Sequence, residues 1–346
     1  MFDVSADSKK LVARDDPRWQ PELMNVHEGE LGHQFNHRAI RYEGEVAVLN
    51  SDDWLSNVDA VASPPIYCAR SDFLEKIRSM GADQNPSQSA FLGFRRVARS
   101  TDERTVIACI FPWQPSTYGW ILTLGTTASE NIILCGMYNS LVFDYLMRAK
   151  LSQGSIPQGT FEQVHIVSKN RFSSESAEDI GRRILQLIYS ARDLQPFYED
   201  VVAENPNWDP RIGPERGQPW RWNPERRALL RAELDAIYAR LYGLTRDELR
   251  YILDPADVMG IAYPSETFRV LREGEMRAYK EYRTRRLVLE AWDQQTIMSS
   301  LAQSGHVSYS EHGMIRNAEE GRLAGLVTAL VAERTGGISL VAIQSA

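Results

Sequence analysis

Apolar and polar positions change their period along this chain, and the change divides it into two halves. In the first half VHEGELGHQF roughly alternates, as a half-buried strand does, and PIYCARSDF reads as a second strand. FLGFRRVA and TVIACIFPW are two further strand-like runs joined by the polar RSTDER, so four segments are expected to form one sheet. From Ser129 onward, SENIILCGMYNSLVFDYLMRAKL has the spacing of one largely buried helix, with Ser129 as its N-cap and Glu130 in its first turn. GSIPQGTF then reads as a Gly/Pro loop leading into a short strand, EQVHIV.

The second half takes the helical period. SAEDIGRRILQLIYSARDLQPFYEDVV is amphipathic and is interrupted near Pro196, which cannot supply a helical N–H. NPNWDPRIGPERGQPWRWN, residues 205 to 223, is a proline- and tryptophan-rich connector and marks the expected domain boundary. Asn223 caps PERRALLRAELDAIYARLYGL, with Pro224 at the first helical position and Gly243 at the stop. Thr245 opens TRDELRYIL, where Asp247 and Glu248 complement the helix dipole. A longer helix is expected from about Ser265 to Gln294, then AEEGRLAGLVTALVAER and an apolar ISLVAI. The pattern predicts an α/β (α+β) chain: a sheet-containing domain over residues 1 to 204, the connector, a helical region over 224 to 294, and a docking or dimerisation element over 295 to 346.

Composition fits a globular protein, with 43% hydrophobic and 25% charged residues. The sequence has no run of the roughly 18 to 20 apolar residues that spans a membrane, and its first residues lack the apolar core of a signal peptide, so a cytoplasmic location is expected. Cys68, Cys109 and Cys135 form no CxxC pair and sit in apolar settings, which suits buried thiols. The net charge of −7 is unfavourable for nucleic acid as a whole, but arginines cluster locally at Arg95, Arg96, Arg99 and Arg104, at Arg221, Arg226, Arg227 and Arg231, and at Arg283, Arg285 and Arg286. Arginine's five-donor fork suits phosphate and guanine better than a lysine ammonium does.

Motifs of chemistry are sparse. The sequence has no glycine-rich cofactor loop, no P-loop and no nucleophile elbow. NPNW and SPPI only approximate the [DN]PP[YFW] turn that holds a flipped adenine. His33 and His37 are four residues apart, with Glu28 and Glu30 nearby, a pattern that would need a helix to make a metal site; no metal is expected.

Several segments together resemble one family. HEGELGHQFNHR, FRRVARSTDERTVIACIFP, NSLVFDYLMRAKLSQGSIPQGTFEQVHIV, RRALLRAELDAIYARLYGLTRDELRYILDP and EYRTRRLVLEAWD follow in the order seen in the C-terminal target-recognition region of large adenine-specific DNA methyltransferases, of the restriction-modification, BREX and DISARM kinds. The resemblance covers roughly residues 1 to 293 and excludes the catalytic domain. It implies a module that recognises double-stranded DNA beside a methyltransferase chain or other defence subunits, with S-adenosylmethionine held by the catalytic partner and no cofactor here. The residues it implicates in DNA contact are Gln34, Asn36, His37 and Arg38; Arg95, Arg96, Arg99 and Arg104; Gln153, Ser155, Gln158 and Thr160; and Arg283, Arg285 and Arg286. Two other readings stay open: an assembly protein that has lost DNA contact, and a metal-dependent nuclease using His33 and His37. Residues 295 to 346 match nothing in that family and leave room for a homodimer contact.

Overall fold

Alternation along the third strand-like run sets the architecture. In a computed structural model that describes residues 1–81, 89–264 and 267–303, with side chains through Thr296, the chain is a mixed α and β fold. Its strands are β1 (Leu11–Ala13), β2 (Met24–Asn25), β3 (Ile40–Glu43), β4 (Val46–Leu49), β5 (Ile66–Cys68), β6 (Ala90–Arg95), β7 (Ala108–Pro112) and β8 (Trp120–Thr123). The helices are α1 (Asp52–Ser56), α2 (Arg70–Ser79), α3 (Ala128–Asn139), α4 (Leu141–Lys150), α5 (Gln158–Phe161), α6 (Ser174–Ile188), α7 (Gln195–Glu204), α8 (Pro224–Leu241), α9 (Arg246–Leu253), α10 (Pro255–Met259), α11 (Arg269–Tyr279) and α12 (Arg283–Gln303).

The strands form three small antiparallel sheets, ordered β7-β6-β8, β1-β5-β2 and β3-β4. In β7-β6-β8 both faces are covered. Ala90, Leu92, Phe94, Ala108, Ile110 and Ile121 face the larger core with the helices, while Phe91, Cys109, Phe111, Trp120 and Leu122 face a smaller one with Phe2, Leu11, Val26 and Phe73. Because successive side chains of a strand point to opposite faces, AFLGFR can be apolar throughout and still serve two cores.

Several expectations are corrected here. VHEGELGHQF is not a strand: it makes tight turns against the sheet, because Gly32 lies where a side chain would come within 2.6 Å of the Trp120 ring and 2.8 Å of the Cys109 sulfur. Within it His33 and Asn36 exchange backbone hydrogen bonds of 2.7 and 3.0 Å around Phe35, which takes a left-handed φ of 57°. PIYC joins a different sheet, and the residues after it form α2. The helix expected from Ser129 is two, α3 capped by Thr127 with a Glu130 capping box and α4 capped by Ser140, whose extended backbone makes the break. EQVHIV has no strand pairing, and Gln158–Phe161 within the expected loop makes one helical turn. The helix expected up to Gln294 is likewise divided, at Lys280 with a φ of 63°. AEEGRLAGLVTALVAER and ISLVAI lie outside the described residues.

The connector is not a boundary in packing. One apolar core runs from Phe35 to Trp292, and Trp208 of the connector sits so close to Gly181 of α6 that a Cβ there would meet its indole at 2.2 Å. Helix α8 lies in the same core: Tyr238 donates to the Ile133 carbonyl at 2.7 Å, and Gly136 of α3 leaves room for its ring. The three cysteines are buried, and burial pushes the Cys68 thiol up to about 12, consistent with inert structural thiols. No described helix is long and apolar enough to cross a membrane.

Candidate nucleic-acid interface

The implicated residues fall into three physically different environments. Gln34, Asn36, His37, Arg38 and Arg104 are buried inside the protein. Arg38 is wholly enclosed; its Nη1 donates to the Asn57 and Ala60 carbonyls at 3.0 and 2.7 Å, and its Nη2 to those of Leu55 and Ser190 at 3.2 and 3.1 Å. Asn36 Oδ1 accepts from the Arg38 N–H at 3.0 Å, and the Gln34 amide, with its oxygen turned to Arg104, accepts from Nε at 3.1 Å. Arg104 is bound to the fully buried Asp144 at 2.9 Å. The expectation that these five meet DNA is corrected, because they are enclosed in the interior and most of their donors and acceptors are used there.

His37 pairs through Nε2 with Asp193 Oδ2 at 2.8 Å. Burial alone would raise the Asp193 pKa, but the His37 charge and hydrogen bond and the nearby Arg38 outweigh it, and the value is lowered. A carboxylate with a depressed folded pKa adds stability above its unfolded value, near 3.9, and that stability is lost as pH falls through the folded value. Asp193→Asn is therefore expected to lower the unfolding free energy at pH 7, measured by urea titration, by on the order of 1 to 2 kcal/mol, with the difference from wild type shrinking as the pH is lowered to about 3. Parallel curves at both pH values would remove this pair from the stability of the fold.

The third environment is ion-paired surface. Arg283 binds Glu225, Arg285 binds Asp257, and Arg286 binds Glu281 and Glu290 at 2.9 and 3.0 Å. Each charge of this cluster is neutralised by acids of α8, of α10, or of α12 and the turn before it, so the cluster presents no uncompensated positive face.

The second environment is the one that stays open. After β6 the chain continues along Arg96 and Val97, where the Arg96 carbonyl accepts from Ile156 N–H at 2.8 Å and Val97 pairs with Ser155 in an antiparallel bridge. This brings Arg95, Arg96 and Arg99 beside Gln153, Ser155, Gln158 and Thr160, two groups some sixty residues apart in sequence. Arg99 and Gln153 are exposed, the others half-buried, and Val97 between them is 63% exposed. The Arg96 guanidinium lies 4.1 Å from the centre of the Tyr118 ring, which holds it flat against the surface, while Arg95 makes only a 3.4 Å bond to the Val97 carbonyl. Gln158 donates to Glu162 at 2.9 Å.

The loop between β6 and β7 is built from within. Asp102 accepts from the Arg99 backbone N–H at 3.0 Å rather than from its side chain, and Thr105 Oγ donates to the Arg99 carbonyl at 2.9 Å. Arg148 of α4 donates to the carbonyls of Ser100, Asp102 and Glu103, at 2.9, 2.8 and 3.0 Å. Asp144 holds both Arg104 and Arg148 and accepts from Thr105 N–H at 3.1 Å. The sequence reading missed Asp144 and Arg148; their i,i+4 spacing in FDYLMR was the available signal, since it allows one carboxylate to fix a guanidinium that reaches off the helix. Among the described residues no group of three His, Cys, Asp or Glu side chains is arranged to hold a metal ion, and His37 is committed to Asp193.

Comparison with models of protein families, with curated proteins and with solved structures finds no match for this chain.

Proposed function

We propose that the chain is a DNA target-recognition module or subunit of an adenine-specific DNA methyltransferase in a restriction-modification or phage-defence system. Methyl transfer in this reading belongs to a partner chain that binds S-adenosylmethionine. The observation that carries it is the strip in which the arginines after β6 adjoin the residue 153 to 160 loop. Arginines there have their donors largely unspent, as phosphate contact requires, and amide and hydroxyl side chains stand next to them, as base edges require. The net charge of −7 belongs to the chain as a whole, whereas phosphate contact depends on the charge of the strip itself.

The test is binding of fluorescent duplex DNA by anisotropy across salt concentrations. A linear fall of log K with log salt is expected, and Arg99→Ala should reduce the slope by about 0.9, the effect of one lost phosphate contact, without moving the unfolding midpoint. Arg286→Ala should leave the slope unchanged, since its charge is spent on Glu281 and Glu290. Absence of binding at low salt, alone and with a methyltransferase partner, would favour the assembly-protein reading.

A further inference from the structure

Helix α8 carries Arg231 and Asp235 one turn apart, so both side chains lie on one face. That face borders a recess of about 110 Å³ between α8, the His33–Asn36 turn, the α3–α4 junction and the α11–α12 hairpin. Elsewhere, basic and acidic residues at this spacing pair with each other, as Arg182 does with Glu178 and Arg183 with Asp179. Here they do not. Arg231 lines the recess, and its guanidinium has no hydrogen-bond or ion-pair partner among the described residues. Asp235 is buried, and its Oδ1 accepts from the Leu141 N–H at 2.7 Å, leaving the second oxygen for the recess.

The other charged groups lining the space are mostly occupied. Arg104 is held by Asp144, Arg283 by Glu225, and both Glu275 oxygens accept from Thr284; Glu103 completes the set. Phe35, Leu271 and Leu287 supply apolar walls. At about 110 Å³ the recess is smaller than the ~150 Å³ cavity that admits one aromatic ring, so it has room for one end of a base rather than for a whole one. Burial pushes the Asp235 carboxyl up to about 6, against the opposing pull of Arg104 and Arg231. Asp235 and Arg231 thus border one recess without pairing, which leaves one carboxylate oxygen and the guanidinium for a ligand.

We propose that this recess takes the O6 end of a single guanine base, Arg231 donating to O6 and N7 and the second oxygen of Asp235 accepting from the N1 hydrogen. Arginine's fork matches the two acceptors of guanine and meets a donor on adenine, whose amino group stands where O6 would be. A bare phosphate would satisfy Arg231 but face Asp235, Glu103 and Glu275. The proposal relies on the DNA reading for the source of the base, an unpaired or extruded nucleotide.

Calorimetric titration of the full chain with GMP, AMP and inorganic phosphate tests it. GMP is expected to bind, AMP at least tenfold more weakly, and phosphate not to compete. Asp235→Asn keeps an oxygen for the Leu141 N–H and loses the second acceptor; Arg231→Ala removes a side chain with no internal partner, and Arg231→Lys keeps the charge without the fork. Each should weaken GMP at least tenfold while the thermal transition stays cooperative. Equal binding of GMP and AMP, unchanged binding in Arg231→Ala, phosphate competing as well as GMP, or no GMP binding at millimolar concentration would each overturn the proposal. Duplex anisotropy on the same samples separates the two readings: GMP binding without duplex binding sinks the recognition module and leaves the recess, and the reverse sinks the recess alone.

Discussion

Arg38→Ala is expected to leave too little stability for a cooperative fold at 37 °C. The guanidinium joins the loop after α1, through Leu55, Asn57 and Ala60, to Ser190 at the end of α6, and its removal strands four carbonyls in a dry interior. A buried acceptor without a donor costs about 1 to 3 kcal/mol, so even partial relaxation leaves a loss of more than about 3 kcal/mol from a total near 5 to 15. Arg38→Lys should recover only part of this, because one ammonium cannot reach carbonyls spread around a planar fork. Urea unfolding followed by tryptophan fluorescence measures both. A loss below about 1 kcal/mol for the alanine variant would mean that the four bonds are replaced by water.

Asp144→Ala is the second large effect. Its carboxylate is fully buried and holds the guanidinium groups of Arg104 and Arg148 as well as the Thr105 N–H. Removing one partner of a buried ion pair costs about 3 to 5 kcal/mol, since the remaining charges stay buried and uncompensated. The consequence extends past stability. Arg148 carries the carbonyls of Ser100, Asp102 and Glu103, so the loop presenting Arg99 should loosen with it. Proteolysis between residues 99 and 105 is expected to accelerate in Asp144→Ala, and in Arg148→Ala even where global stability is retained. Unchanged cleavage in both variants would assign the loop's order to Thr105 and Asp102 instead.

What the sequence made legible follows local rules. Asn223 before Pro224, Thr245 three residues before Glu248, and the apolar alternation of FLGFRR and TVIACIFPW each carry their own physical cause, and each stands in the structure as a cap or a strand. The misreadings lie where distant residues decide. VHEGELGHQF alternates like a strand, but Gly29 and Gly32 are pressed against Gly119 and Trp120, and that close approach fixes turns. Ser140 splits a continuous helical pattern because its own side chain caps the next helix, and nothing in the apolar spacing announces it. The candidate site was legible in part. Arginines were visible, but their fate depended on partners up to 192 positions away, and only contact geometry separates Arg38 and Arg227, spent on carbonyls, from Arg99, left at the surface. Arg231 was visible only as a member of an arginine cluster, and contact geometry alone shows that it and Asp235 border one recess without pairing.

The core that runs from Phe35 to Trp292 also bears on how the protein is made. Strands β6, β7 and β8 leave the ribosome long before α8 and α12 can cover the helices packed on them, and at roughly 5 to 20 residues per second that interval is on the order of ten seconds. During it the faces of α3 and α6 that receive Tyr238 lie bare, an adhesive surface on an incomplete chain. Nascent chains stalled near residue 204 should therefore recruit chaperones, and release from them should coincide with emergence of the final helices rather than with completion of the sheet.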